Sequence, residues 1–104
     1  MIEILRACEK ELKEFPEEVR GDLADALARL DAGLSLSMPL SRPMPSISPG
    51  AHELRFRDRS GTYRVIYYIR RQNEIWLVHA FKKKTQQTPS QNIEVAQQRI
   101  KRIL

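Results

Sequence analysis

The chain has 104 residues, of which 41% are hydrophobic and 30% are charged, and its formal net charge is +5. This length suits one domain, residues 1–104, with a single modest core. No apolar run approaches the roughly 20 residues that cross a bilayer, and the single cysteine, Cys8, excludes an internal disulfide and a thiolate metal cluster. We therefore expect a cytoplasmic protein with no membrane partner.

The positive charge is concentrated in the second half of the chain. Residues 53–89 contain nine Lys and Arg residues and three acidic ones, whereas residues 1–33 contain five basic and nine acidic residues. A pI near 9.7 and this separation indicate that one part of the protein meets nucleic acid, an acidic protein or an anionic surface. Charge alone leaves all three partners open.

Residues 1–33 have the pattern of two antiparallel helices packed as a hairpin. Apolar residues recur at helical spacing as far as Phe15, and Pro16 interrupts them because proline has no N–H for an interior turn. A second apolar stripe follows, and Gly33 is its predicted C-terminal cap. Residues 2–5 are either a short strand or the start of the first helix.

Residues 34–50 contain four prolines, a density that neither a helix nor a central strand tolerates. A connection of this length without secondary structure is uncommon in a compact domain. Its apolar side chains indicate that it packs against the rest of the protein. A partner-binding role is the alternative.

Three strand-like runs follow, at residues 51–57, 63–70 and 75–81, with short turn-forming connections between them. This order predicts an antiparallel meander. Thr88 is the predicted N-cap of a C-terminal helix and Pro89 its first residue. The predicted fold class is α+β, in which a helical hairpin precedes an antiparallel β-meander and a C-terminal helix, with a short N-terminal strand if residues 2–5 are extended.

The sequence contains no Walker loop, no dinucleotide-binding glycine motif, no HExxH and no Cys/His ligand cluster. The two histidines, His52 and His79, lie on different predicted strands and do not form a metal site by themselves. We therefore predict neither a metal nor a small-molecule cofactor. For His79 we predict a half-buried, hydrogen-bonded role.

The meander carries most of the basic residues. They are Arg55, Arg57, Arg64, Lys82, Lys83 and Lys84. Pairing around the turn at 58–62 brings Arg57 close to Arg64, and the lysines leave the third strand beside the second. If these cations share one face, they form a surface that holds several phosphates. The register and twist of the sheet decide this, and sequence does not specify them.

Aromatic side chains are interleaved with the cations, and some are candidates to stack on bases. Most of them are expected to belong to the core. Tyr68 is the best exception because it alternates with Arg64 on one strand face.

Five segments carry a resemblance: ELRFR at 53–57, YRV at 63–65, HAFKKKTQQTP at 79–89, FPEEVR at 15–20 and PMPSI at 43–47. With them the chain resembles the phage-derived, HigB-like branch of the RelE/ParE toxin superfamily. The resemblance covers nearly the whole chain. Its most specific part is the combination of the YRV strand with the HAFKKKTQQTP segment.

The resemblance implies the toxin of a type II toxin–antitoxin system, a metal-independent endoribonuclease that enters the ribosomal A site, cuts mRNA and inhibits translation. In such cleavage the ribose 2′-OH attacks the adjacent phosphate and the 5′-oxygen leaves, so the site must stabilise an extra-negative phosphate and transfer protons. The implied partners are the ribosome, mRNA and a helix-turn-helix antitoxin. The alternatives are a ParE-type toxin that inhibits DNA gyrase and a catalytically degenerate member that binds only its antitoxin.

The same resemblance implies which residues act. The active-surface residues are Arg57, Arg64, Lys83 and Lys84, and the secondary, RNA-binding ones are Arg55, Tyr68, Lys82 and Thr85. Arg64 is implied as the phosphate or transition-state ligand, and a lysine whose pKa is depressed by neighbouring cations can serve as base. We expect Arg64→Ala to abolish cleavage with nearly unchanged thermal stability. No tyrosine follows Tyr68, whereas several relatives of the superfamily use one near the C-terminus, so individual acid and base roles stay open.

Overall fold

The computed structural model describes residues 1–71, 74–84 and 88–104. Its elements in chain order are β1 (Ile2–Ile4), α1 (Arg6–Leu12), α2 (Glu17–Asp31), β2 (Ser41–Pro43), β3 (Ala51–Asp58), β4 (Gly61–Arg71), β5 (Glu74–Lys83) and α3 (Ser90–Ile103). The strands form one mixed sheet in the order β1-β5-β4-β3-β2, in which only β1 runs parallel to its neighbour. The predicted α+β fold is confirmed, including the short N-terminal strand.

Helices α1 and α2 pack on one face of the sheet, where their main strand contacts are with β5 and β3 respectively. This first core contains Cys8, Leu12, Phe15, Val19, Leu23, Leu54, Val65, Tyr67 and Leu77. The first helix ends at Leu12, earlier than its apolar pattern predicts. The residue before a proline is disfavoured in helical conformation, so the chain leaves the helix before Pro16, and Phe15 still reaches the core from the turn.

The end of α2 confirms the predicted glycine cap. Gly33 has a φ of 87° and donates its N–H to the carbonyl of Leu30, and Leu34 donates to the carbonyl of Arg29. These two bonds are those of a Schellman motif, which needs a left-handed residue after the helix. A side chain at position 33 would be strained there.

The connection between α2 and β3 packs against the domain, as predicted. Met44 and Ile47 are buried, and residues 41–43 form β2, an edge strand that the proline content concealed. Pro43 is tolerated because it ends a strand at the edge of the sheet. β2 pairs antiparallel with β3 and places Arg42 opposite Glu53.

Strands β3 and β4 form a hairpin with a two-residue turn between Asp58 and Gly61. The Asp58 carboxylate accepts hydrogen bonds from the N–H groups of Ser60 and Gly61, which explains why this short polar segment forms the turn. The turn sets the register of the whole hairpin and therefore decides which side chains share a face.

Helix α3 packs on the second face of the sheet and covers only part of it. Its Ala96 and Ile100 join Ile66, Tyr68 and Val78 in a second core. The predicted cap is wrong: Pro89 is the N-cap residue without a side-chain cap, and the hydroxyl of Thr88 donates instead to a buried carboxylate, that of Glu53. Within the described residues, no helix is both long and apolar enough to cross a membrane.

Candidate active site

The cations of the meander gather on the second face of the sheet, beyond the part that α3 covers. Arg64 on β4 lies directly opposite Arg55 on β3, and in the next row Thr62 lies between Arg57 on β3 and Lys83 on β5. Residues opposite one another in an antiparallel pair share a face, with Cβ atoms about 4.5–5.5 Å apart. Three neighbouring strands thus hold four cationic side chains in two adjacent rows, and these four are called the cationic face below.

Two members of the cationic face are buried, although both side chains are among the most hydrophilic. Arg64 and Lys83 are each 5% exposed. Burying a charge is costly unless a counter-charge or hydrogen bonds compensate it. The compensating group is Glu53 on β3, which is 1% exposed and lies on the same face.

Glu53 links three parts of the chain. Its Oε1 lies 3.3 Å from Nε of Arg64, and its Oε2 accepts a hydrogen bond of 2.6 Å from the hydroxyl of Thr88, just before α3. Sequence reasoning missed the role of Glu53 in the site, although residues at alternate positions of a strand share a face. The available signal was its position two residues before Arg55 on that face.

The compensation is incomplete. Arg64 donates through Nη1 to the carbonyl of Tyr63 at 3.3 Å, but its buried Nε lies near Glu53 without making a hydrogen bond. One carboxylate therefore faces several cations, and the guanidinium retains unused hydrogen-bonding capacity. Such a group is suited to an anion supplied from outside.

The environment of Lys83 makes it a candidate proton acceptor. Burial lowers its pKa, the neighbouring Arg64 lowers it further, and Arg55 and Arg42 add to this effect while Glu53 opposes it. A lysine with a lowered pKa is more often neutral, and a neutral amine accepts a proton. Arg42 was missed from the sequence because its strand, β2, was not predicted.

Arg64 is subject to similar forces with a different chemical result. Burial lowers its pKa, as do Arg55 and Arg57, while Glu53 opposes the shift. A guanidinium nevertheless remains protonated in proteins. Arg64 is therefore a permanent cation beside a lysine that can lose its proton.

A cleft of about 370 Å³ opens at the edge of the cationic face. Its lining residues are Pro39, Leu40, Arg55, Phe56, Arg57 and Arg64. β2 pairs with β3 only as far as Leu54, so the remaining four residues of β3 lie at the edge of the sheet. The cleft occupies this edge and brings three guanidinium groups next to an apolar wall.

The sheet separates the members of the triple-lysine run. Lys82 is opposite Tyr63, whose ring belongs to the first core, and its Nζ lies 5.8 Å from the centroid of that ring. It therefore projects away from the cationic face that contains Lys83. Lys84 is exposed immediately after β5.

The other two RNA-binding predictions have different outcomes. Tyr68 does alternate with Arg64 on one face, but it is 8% exposed and packs in the second core with Ala51 and Met44, which leaves little ring surface for a base. Thr85 lies outside the described residues.

A second polar cluster lies where β1 has ended and the edge of β5 is open. The Glu11 carboxylate of α1 accepts bonds from both terminal nitrogens of Arg99 at 2.8 and 3.1 Å and from the N–H of Ala80 at 3.0 Å. His79 Nδ1 lies 3.1 Å from both carboxylate oxygens, and its Nε2 lies 2.6 Å from Oδ1 of Asn92. The hydrogen-bonded role predicted for His79 is confirmed, but the side chain is buried, at 6% exposed, and not half-buried as predicted.

The Glu11 cluster is electrostatically complete. Burial alone would raise the pKa of Glu11, but the hydrogen bonds from His79, Arg99 and the Ala80 N–H outweigh it and lower the pKa to about 2. The cluster joins α1, β5 and α3, which makes it a structural connection. Among the described residues, no group of three or more His, Cys, Asp or Glu side chains is arranged to hold a metal ion.

Comparison with known proteins adds one match. The family model described as "Phage derived protein Gp49-like (DUF891)" matches residues 10–101. A search of curated proteins finds no match. The matched span contains the whole cationic face, Glu53 and the Glu11 cluster.

Proposed function

Since this chain belongs to the family of phage-derived Gp49-like proteins, a toxin-like family related to RelE-type toxins, we propose that it is the toxin of a type II toxin–antitoxin pair of the HigB-like branch. In this proposal it is an endoribonuclease that cuts mRNA on the ribosome. The observation that carries the proposal is the cationic face. In it two positively charged side chains, Arg64 and Lys83, are both buried and lie close enough for Arg64 to lower the pKa of Lys83. A protein gains no stability from crowding cations in this way, whereas a phosphate ligand would be strongly attracted to them.

The side chains fit the needs of metal-independent RNA cleavage. The 2′-oxygen attacks the adjacent phosphorus, the bond from phosphorus to the 5′-oxygen breaks, and the 5′-oxygen leaves and takes up a proton. The extra negative charge that develops on the phosphate in between would be stabilised by Arg64, Arg57 and Arg55 of the cleft. The attacking hydroxyl must also lose a proton, and Lys83, whose pKa is lowered by burial and by Arg64, is the group suited to accept it. Lys84, exposed at the end of β5, is left to bind a flanking phosphate.

The test is a purified translation extract programmed with a defined mRNA, in which breaks are mapped by primer extension with and without ribosomes. We expect breaks within codons that require ribosomes, and their loss in Arg64→Ala. Arg29→Ala is the matched control, because Arg29 is an exposed arginine on α2, on the opposite side of the sheet. Intact mRNA together with blocked DNA supercoiling by gyrase would replace this proposal with the gyrase-inhibiting function.

The proposed protein partner is a small helix-turn-helix antitoxin encoded next to this chain. Induction of the chain alone should arrest growth, and coexpression of the neighbouring reading frame should restore it. Growth arrest that persists in Arg64→Ala would contradict cleavage as the cause. If wild-type protein binds the neighbour but neither arrests growth nor cuts mRNA, the chain is a catalytically degenerate member.

A further inference from the structure

The proline-rich connection reaches the candidate active site. Pro39 is exposed and Leu40 is half-buried, and both line the cleft beside Arg55, Arg57 and Arg64. Leu40 is held there from two sides: it packs against the first core, and its carbonyl accepts a 2.9 Å hydrogen bond from the N–H of Arg55. The apolar wall of the cleft is therefore a fixed part of the structure.

The edge of β3 supplies a further group at this place. The N–H of Arg55 points outward to Leu40, and backbone groups two residues apart along a strand point the same way. The N–H of Arg57 consequently faces the edge that β2 leaves open, since β2 pairs no further than Leu54. This donor lies next to the guanidinium groups of the cleft.

The lining of the cleft is chemically of two kinds. Three of its residues are apolar, Pro39, Leu40 and Phe56, and the other three are arginines. Inorganic phosphate needs only the arginines. A ligand that uses both kinds of residue must join an anion to a flat, largely apolar group, and guanidinium planes also stack on nucleobases. The volume of about 370 Å³ lies in the range of small-molecule sites.

We propose that this cleft is a nucleotide subsite, in which Pro39 and Leu40 contact the base of a nucleotide whose phosphate lies on Arg64 and Arg57. The inference rests on the proposed ribonuclease function and adds a place for the base next to the scissile linkage. It assigns the proline-rich connection a role in selecting RNA. The base then lies at the sheet edge, and the phosphate is held by the sheet face.

Binding is tested with three probes: inorganic phosphate, a nucleoside, and a 2′-O-methyl dinucleotide that cannot be cleaved. Each is titrated into the full chain and followed by amide chemical shifts. We expect the dinucleotide to bind about tenfold more tightly than phosphate, with shifts at positions 40 and 57. Arg64→Ala should weaken phosphate and dinucleotide alike.

Leu40→Ser distinguishes the contribution of the apolar residues to binding from that of the arginines. It should weaken dinucleotide binding about fivefold and leave phosphate binding unchanged, because it removes apolar contact only. Leu34→Ser is the matched control in the same connection, since Leu34 is 54% exposed and lies outside this cleft. Leu40→Met keeps the apolar volume and should keep dinucleotide affinity. It is the control for a change at position 40 that does not remove the apolar contact.

The inference is overturned if phosphate and dinucleotide bind equally well, or if Leu40→Ser weakens both by the same factor. Either result leaves ribosome-dependent cleavage of mRNA intact as a separate finding. Conversely, preference for the dinucleotide without any mRNA cleavage overturns the proposed function and retains the subsite.

Discussion

Two pairs of glutamate and arginine, one partly buried and one buried, connect different parts of this protein, and they differ in how completely their charges are matched. At the open edge of β5, Glu11 accepts two bonds from Arg99 and further ones from His79 and the Ala80 N–H. On the cationic face, Glu53 has one ion pair at 3.3 Å and one hydroxyl donor. The same two side-chain types thus form a pair with fully matched charges in one region and a pair with surplus positive charge in the other.

The difference indicates what each pair is for. The Glu11 pair joins α1, β5 and α3, and it leaves no charge without a partner in that cluster. The Glu53 pair lies among additional cations, of which Arg55 is directly opposite Arg64 across the strands. Like charges in that position destabilise a sheet. A surplus of buried positive charge therefore lowers the stability of the free protein, which supports the proposal that this face binds an anion.

The largest effect is expected for Arg64→Ala, in the candidate active site, on the rate of mRNA cleavage. Removing one preorganised ligand of the transition state typically lowers a rate about 10²- to 10³-fold, and mapped mRNA breaks in the translation extract measure this. The expectation of unchanged stability needs revision, because Glu53 loses its ion-pair partner. We now expect a loss of about 1–3 kcal/mol in urea unfolding. Undiminished cleavage would remove Arg64 from the site.

Glu11→Ala tests the pair of Glu11 and Arg99, whose charges are matched. It leaves Arg99 and His79 without their carboxylate, so we expect the free energy of unfolding to fall by about 2–4 kcal/mol, measured by urea denaturation. Glu14→Ala is the matched control, since Glu14 is exposed and follows α1 by two residues. Its effect should stay within about 0.5 kcal/mol. Equal effects of the two substitutions would show that the cluster contributes nothing special.

The two regions should also differ in the pH range in which they change stability. Glu11 has a pKa of about 2 in the folded protein and an ordinary value of 4.5, so its stabilisation is present above pH 4.5 and is lost as the pH falls toward 2. The pKa of Lys83 is lowered from 10.5. At Lys83 the unfolded chain then binds more protons than the folded one at alkaline pH, so the contribution of this group to stability rises with pH until 10.5. Cys8 and Tyr67 contribute in the opposite direction, because burial raises their pKa values.

Unfolding free energies measured across pH with two variants check this assignment. Glu11→Gln should change the acid limb alone, and Lys83→Met should change the alkaline limb alone, by removing the contribution of Lys83 that rises with pH. A Lys83→Met protein whose alkaline limb matches that of the wild type would show that Lys83 titrates normally and is a poor candidate for the base.

Arg55→Gln is expected to have a smaller effect on stability, opposite in sign to that of Arg64→Ala. It removes the like charge directly across from Arg64 and should stabilise the free protein by about 0.2–1 kcal/mol, while it weakens binding of an RNA oligonucleotide. Arg29→Gln on α2 provides the control for a general change in net charge. If Arg55→Gln destabilises the protein, the crowding on the cationic face is already relieved without a ligand.

The smallest effect is expected for Lys82→Ala. Its side chain lies over the ring of Tyr63 on the face opposite Lys83, so cleavage should fall less than about threefold, against about a hundredfold for Lys83→Ala. Cleavage rates of the two variants, compared at equal stability, decide the point. Equal losses would mean that both lysines reach the RNA.

Much of the fold follows from local sequence. The glycine at position 33, the turn after Asp58 and the alternation of residues 51–57 are short-range patterns, and the structure contains each of them. Local pattern was misleading where a distant group competed for a side chain. Thr88 is a residue type that caps helices, but its hydroxyl donates to Glu53, 35 positions away in the sequence. The strand β2 was hidden for a similar reason, because only its pairing with β3 orders it.

The sequence by itself determined the order of the helical hairpin, the meander and the last helix, the separation of charge along the chain and the candidacy of Arg64, since these depend on residue type and short spacing. Tertiary structure alone decided which lysine joins that arginine. A register shift between β4 and β5, next to Ile66 and Tyr67, breaks the simple alternation along β5. Leu77 faces the first core although Lys83, an even number of residues later, lies on the other face. Such a shift depends on the pairing of two strands, and no count along one strand reveals it.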